Sequence, residues 1–179
     1  MPLATDIKSD TIFGSELSVK KTSPPISKEP PAKQLAAFIA KFDPTVAKQI
    51  RSCRAALRER FPTAFELVYD NYNFLAIGFC ATDRASSCIV SLASQAKGVS
   101  LCFYYGAKLS DPDKLLHGGG NQVRFLTLES AETLTNPKVE SLLRAATAQG
   151  KFPLPTTGKG PTIIKSISAK QRPRRAKST

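Results

Sequence analysis

From Ala64 to Gly106 an alternating run leads into three apolar, β-rich segments separated by short polar turns, and this block constrains the fold more than any other feature. Phe65, Leu67 and Tyr69 alternate with Glu66, Val68 and Asp70, the period of two that defines a strand. Phe74 to Cys80 and Cys88 to Ala93 read as near-continuous apolar strands. Ala96-Lys97-Gly98 then makes a hairpin turn into Val99–Tyr105. Parallel neighbours need a crossover of a dozen residues or more, so connections this short predict an antiparallel β-meander. With Gln122–Leu128 and Thr162–Ile167 the count reaches five to six strands.

Helical periodicity flanks the block. Leu35, Phe38, Ile39 and Phe42 recur at i, i+3, i+4 and i+7, and Val46, Ile50, Cys53, Leu57 and Phe61 form a second stripe. Asp43-Pro44 and later Asn136-Pro137 each supply a capping side chain followed by a proline suited to the first helical position. Val139, Leu142, Leu143 and Ala146 give the third helix its buried face. Lys48, Arg51, Arg54, Arg58 and Arg60 lie mostly off the second stripe and read as a solvated face. The expectation is a two-layer α+β domain over residues 32–168 with helices on one face of the sheet. A proline-rich, disordered leader (1–31) precedes it, and a basic, disordered tail (169–179) follows.

Charge is concentrated at one end. Residues 34–150 carry +3, whereas residues 151–179 carry eight Lys or Arg and no acid, most of the net +12. The inference from a high isoelectric point to nucleic acid therefore applies to the tail, through Lys170, Arg172, Arg174, Arg175 and Lys177. The four cysteines, Cys53, Cys80, Cys88 and Cys102, have neither Cys-x-x-Cys spacing nor a neighbouring histidine, and predict buried, reduced thiols. With no secretory signal pattern and no apolar run near eighteen residues, the expectation is a cytoplasmic protein without membrane contact.

In this order the pieces resemble the YdhG-like family, a bacterial domain of unknown function. The likeness lies in Val68–Asn73, Leu109–Leu116 with the glycines after it, Val123-Arg124-Phe125, Leu128-Glu129-Ser130 and Ile164–Arg175. The resemblance implies a two-layer α+β fold. One bacterial relative is described as a frataxin-like iron chaperone, which implies iron as a candidate cofactor and iron carriage as an alternative function.

Three groups of residues are candidates for chemistry. Tyr69, Asp70, Asn71, Tyr72 and Asn73 place five hydrogen-bonding side chains between two apolar runs, which packing does not require. Lys108, Arg124 and Lys165 each follow or sit within an apolar strand, and a cation so placed needs an anionic partner. The prediction is a polar pocket pairing Asp70 with one or more of them and holding a small anionic ligand. Asp111, Asp113 and His117 offer oxygen and nitrogen donors in one loop for a divalent ion. Gly118-Gly119-Gly120 precedes a strand and lacks Gly-Lys-Ser/Thr, so it is no phosphate loop. No nucleophile elbow or Cys–His neighbour pair supports catalysis, and a noncatalytic binding module is the expected function.

Overall fold

The computed structural model describes residues 28–175. The leader up to residue 27, and Lys177, lie outside that range. Helix α1 spans Pro31–Ala40 and α2 Pro44–Arg60. Strands β1 (Phe65–Asp70), β2 (Leu75–Cys80), β3 (Cys88–Gln95), β4 (Gly98–Phe103) and β5 (Arg124–Leu128) follow, then α3 (Pro137–Ala148) and β6 (Thr162–Ile167). The predicted caps form: the Asp43 carboxylate accepts the Thr45 amide at 3.0 Å, and the Asn136 side chain accepts that of Lys138 at 3.0 Å.

The fold is α+β, with one open sheet in the order β5-β4-β3-β2-β1-β6. Strands β1 to β5 pair antiparallel in sequence; the short connections from β1 to β4 require it, whereas the longer one between Phe103 and Arg124 does not. Strand β6 departs from the expected meander: it pairs parallel with β1, Glu66 opposite Thr162 and Asp70 opposite Ile167. The chain reaches it only after α3 and a connector from Gln149 to Pro161, and a connection of that length permits a parallel neighbour. Gly160 fixes the arrival point. Its amide donates to the Pro62 carbonyl at 2.9 Å, and a Cβ there would lie 1.7 Å from the Ala64 carbonyl oxygen, so only glycine lets the connector press against the start of β1.

The main core lies between the sheet and the helices. Val68, Ile77, Phe79, Leu92, Leu101 and Leu126 pack in one cluster with Leu35, Ile50, Leu57 and Leu143 from the three helices. The other face carries smaller clusters, Phe74, Ala76, Ala93, Cys102 and Val123 in one and Leu67, Cys80 and Cys88 in another. All four cysteines are free and buried. Burial pushes the Cys53 thiol up to about 11 and the Cys102 thiol up to about 12, so they behave as small hydrophobes, as expected.

Arg54, Arg58 and Arg60 of α2 correct the reading of a solvated face, while Lys48 and Arg51 are exposed as expected. Glu66 of β1 is fully buried, and its carboxylate takes Arg54 Nε at 2.6 Å, Arg54 Nη2 at 2.8 Å and the Thr162 hydroxyl at 2.6 Å. Arg58 lies 3.3 Å away, and Arg60 pairs with Glu140 of α3. Burial pushes the Glu66 carboxyl up, but the hydrogen bonds from Arg54 and Thr162 and the charges of Arg54 and Arg58 outweigh it, and the group stays below its ordinary range.

Two outcomes follow from this packing. A carboxyl depressed in the folded state stabilises fully above its unfolded value of about 4.3 and loses that contribution as pH falls through the lower folded value. Glu66→Gln should therefore cost about 3 kcal/mol at pH 7 and progressively less in acid, read from urea midpoints at pH 7 and pH 3; a gap independent of pH contradicts the assignment. Gly160→Ala should destabilise by about 3 kcal/mol in the same assay, by forcing backbone apart at the β1–β6 junction.

Candidate functional site

Strand β1 places Glu66, Val68 and Asp70 on the helix-facing side, so Asp70 at its C-terminal end points inward and is 1% exposed. The charge is met from two directions. Lys41, the residue that ends α1, donates its Nζ to Asp70 Oδ2 at 2.6 Å, and Arg174 donates Nη2 to Asp70 Oδ1 at 3.0 Å. Asp70 thus has the cationic partners that its burial demands, but they are not the expected ones. Arg124 lies on β5, four strands from β1 and so about 19 Å across the sheet. Lys108 is exposed in the turn between β4 and β5, and Lys165 donates instead to the Asp83 carbonyl at 3.1 Å.

The segment carrying Arg174 is docked over its described length, which corrects the expectation of a disordered tail from residue 169. The Ser168 amide donates to the Asp70 carbonyl at 2.8 Å and the Arg172 amide to the Tyr72 carbonyl at 2.9 Å. The Gln171 side chain accepts from Lys41 Nζ at 2.8 Å and donates to the Asp70 carbonyl at 3.3 Å. Arg175 reaches the carbonyls of Ala40 and Phe42 at the end of α1, where the helix dipole favours a cation. Three separate pieces of chain, the end of α1, the β1–β2 turn and residues 168–175, therefore converge on one carboxylate.

Arg174 is the unusual member. It is 4% exposed, its guanidinium lies 5.5 Å from the centroid of the Phe42 ring, and Nη2 also donates to the Asn71 carbonyl. Its Nε and Nη1 are buried and have no acceptor among the described residues. Burial lowers its pKa from the ordinary arginine value, against the opposing pull of Asp70. Lys41 and Arg174 together outnumber Asp70, so the cluster is net positive. Chemically this is a preformed, partly unsatisfied hydrogen-bond donor set.

The other predicted residues divide between turn, opposite face and surface. The Asn71 amide donates to the Phe74 carbonyl at 3.0 Å, which closes the β1–β2 turn, and Asn73 is exposed. Tyr72 is 48% exposed beside the Arg172 guanidinium, 5.6 Å from its ring centroid. Tyr69 faces the other side of the sheet, half-buried, with its hydroxyl pushed above the ordinary range chiefly by that burial. Lys170 is exposed.

The two carboxylates of the metal candidate have other partners. Both Asp111 oxygens accept backbone amides, of Leu115 at 3.0 Å and Leu116 at 2.7 Å, while Asp113 pairs with Lys138 of α3. They line a cleft of about 280 Å³ with Ser110, Leu115 and Ser141, but His117 pairs its backbone with Phe125 outside that lining. Among the described residues no three His, Cys, Asp or Glu side chains gather as a metal site, and no helix is long and apolar enough to cross a membrane.

Asp70→Asn should cost about 3 kcal/mol, because it leaves Arg174 buried without its counter-charge, and should free the segment it anchors. Trypsin cleavage after Arg174 under native conditions then rises in the variant over the parent; equal rates would mean that the backbone contacts alone hold the segment. Compared with protein-family models, curated proteins and solved structures, the chain matches none.

Proposed function

We propose that the protein is a noncatalytic binding module for a small phosphate- or carboxylate-bearing anion, held by the Arg174 guanidinium beside Lys41 and Asp70. The observation that carries this reading is the pair of buried guanidinium nitrogens without acceptors among the described residues. A buried donor left unsatisfied costs about 1–3 kcal/mol, more when charged, and an anion offsets that cost while balancing the excess positive charge. A guanidinium's planar fork also suits carboxylate or phosphate better than a lysine does. Because these nitrogens are enclosed, occupancy requires residues 171–175 to give locally. The frataxin-like alternative calls for clustered carboxylates, which the positive charge of this cluster does not favour.

Inorganic phosphate is the simplest probe. Melting should be followed while phosphate replaces chloride at constant ionic strength, since a ligand at a hundred times its Kd stabilises by about 2.7 kcal/mol and raises Tm by about 5–10 °C in a chain of this size. Arg174→Lys keeps the charge, loses the fork and should lose most of the increment. An equal rise in both proteins would reduce the effect to general salting and end this reading.

A further inference from the structure

We infer that the outer surface of the same C-terminal segment binds single-stranded nucleic acid, with Tyr72 as the base-stacking platform and Arg172, Lys170 and Arg175 as phosphate contacts. In the sequence these cations have no aromatic among them, and a basic tail alone gives nonspecific, salt-sensitive affinity. The fold supplies the missing ring. Backbone pairing of Arg172 with the Tyr72 carbonyl sets the guanidinium against the ring of the β1–β2 turn, and Tyr72 as a residue keeps 48% of its surface open. Among the described residues the exposed large hydrophobic side chains are this one and Phe152.

Several features fit a single strand. A base has a π-face that stacks on a tyrosine or on an arginine plane whatever its identity, whereas a paired base offers no free face at this position. Cations beside a stacked base meet the phosphates that flank it. Arg172 lies against Tyr72, Lys170 is exposed, and Arg175 is exposed with part of its guanidinium on the α1 carbonyls, so the segment offers about three cations to phosphate. The turn and segment are already fixed to each other, so little ordering is needed on binding. This surface goes beyond the small-anion reading: it uses neither the buried Arg174 nitrogens nor Asp70.

The test uses the full chain and fluorescence anisotropy with labelled oligo-dT of twelve nucleotides, beside a duplex of twelve base pairs, at low salt. Tyr72→Ala should weaken oligo-dT binding about tenfold and leave duplex binding unchanged, while Tyr72→Phe keeps the affinity. With about three phosphates engaged the slope of log K against log salt should be near −2, and Arg172→Gln should reduce its magnitude by about 0.7. No binding of oligo-dT, or an unchanged affinity in Tyr72→Ala, overturns the proposal. An equal loss on both oligo-dT and duplex also overturns it, by reducing the effect to loss of fold or of general charge. The phosphate-dependent rise in Tm should persist in Tyr72→Ala, so failure of this inference and failure of the small-anion site give different results.

Discussion

Burying a carboxylate at each end of one strand sets what the rest of the molecule must bring to it. Glu66 and Asp70 lie four residues apart on the helix-facing side of β1, both screened from water. An isolated buried carboxylate is costly, and each is stable only where cations and hydrogen-bond donors arrive in good geometry. Glu66 obtains them from α2 and β6, and Asp70 from the end of α1 and the C-terminal segment. Strand β1 is therefore the point at which helix layer, sheet edge and terminal segment are registered against one another. In both clusters two cations face one carboxylate, and among the described residues a buried guanidinium keeps nitrogens without a hydrogen-bond partner, Arg58 Nη2 beside Glu66 and Arg174 Nε and Nη1 beside Asp70.

Much of this architecture was legible in local pattern. Period two gave β1, and the stripes of Leu35 to Phe42, Ile50 to Phe61 and Val139 to Ala146 gave the helices, because burying one face forces those spacings. Asp43-Pro44 and Asn136-Pro137 marked helix starts because capping is a contact over two residues. Parallel pairing of β6 was not legible, since it depends on where a long connector ends and on the Gly160 contact with Ala64, neither of which leaves a periodic trace.

The site was legible in part. The polar cluster between apolar runs contains the buried Asp70, and the expected pairing of Asp70 with a cation is met by Lys41 and Arg174 in place of Lys108, Arg124 or Lys165. Which cation could not be read, because Lys41 and Arg174 lie 29 and 104 residues away in sequence and only the tertiary fold brings them together. Arg54 and Arg58 were hidden for the same reason: their stripe is the polar side of α2, and it is the buried Glu66 that draws it inward. Signals were present, in a lysine ending an apolar helix and in the run Arg172-Pro173-Arg174-Arg175, yet the sequence pattern of such groups is also that of a solvated face or a free tail.

The parallel β6–β1 pair has a consequence for how the chain is made. Thr162 is 96 residues beyond the Glu66 carboxylate that accepts its hydroxyl, and Arg174 lies 104 beyond Asp70. On the ribosome, helices α1 and α2 and the first five strands emerge while β1 still has an open edge and Asp70 still lacks its guanidinium. Nascent hairpins can assemble early, but the final edge and its charge balance wait until these distant residues are synthesised, and non-local closure of this kind is slow. During that interval the unpaired side of β1 is the surface on which a partly built chain is open to adding a strand from a neighbour.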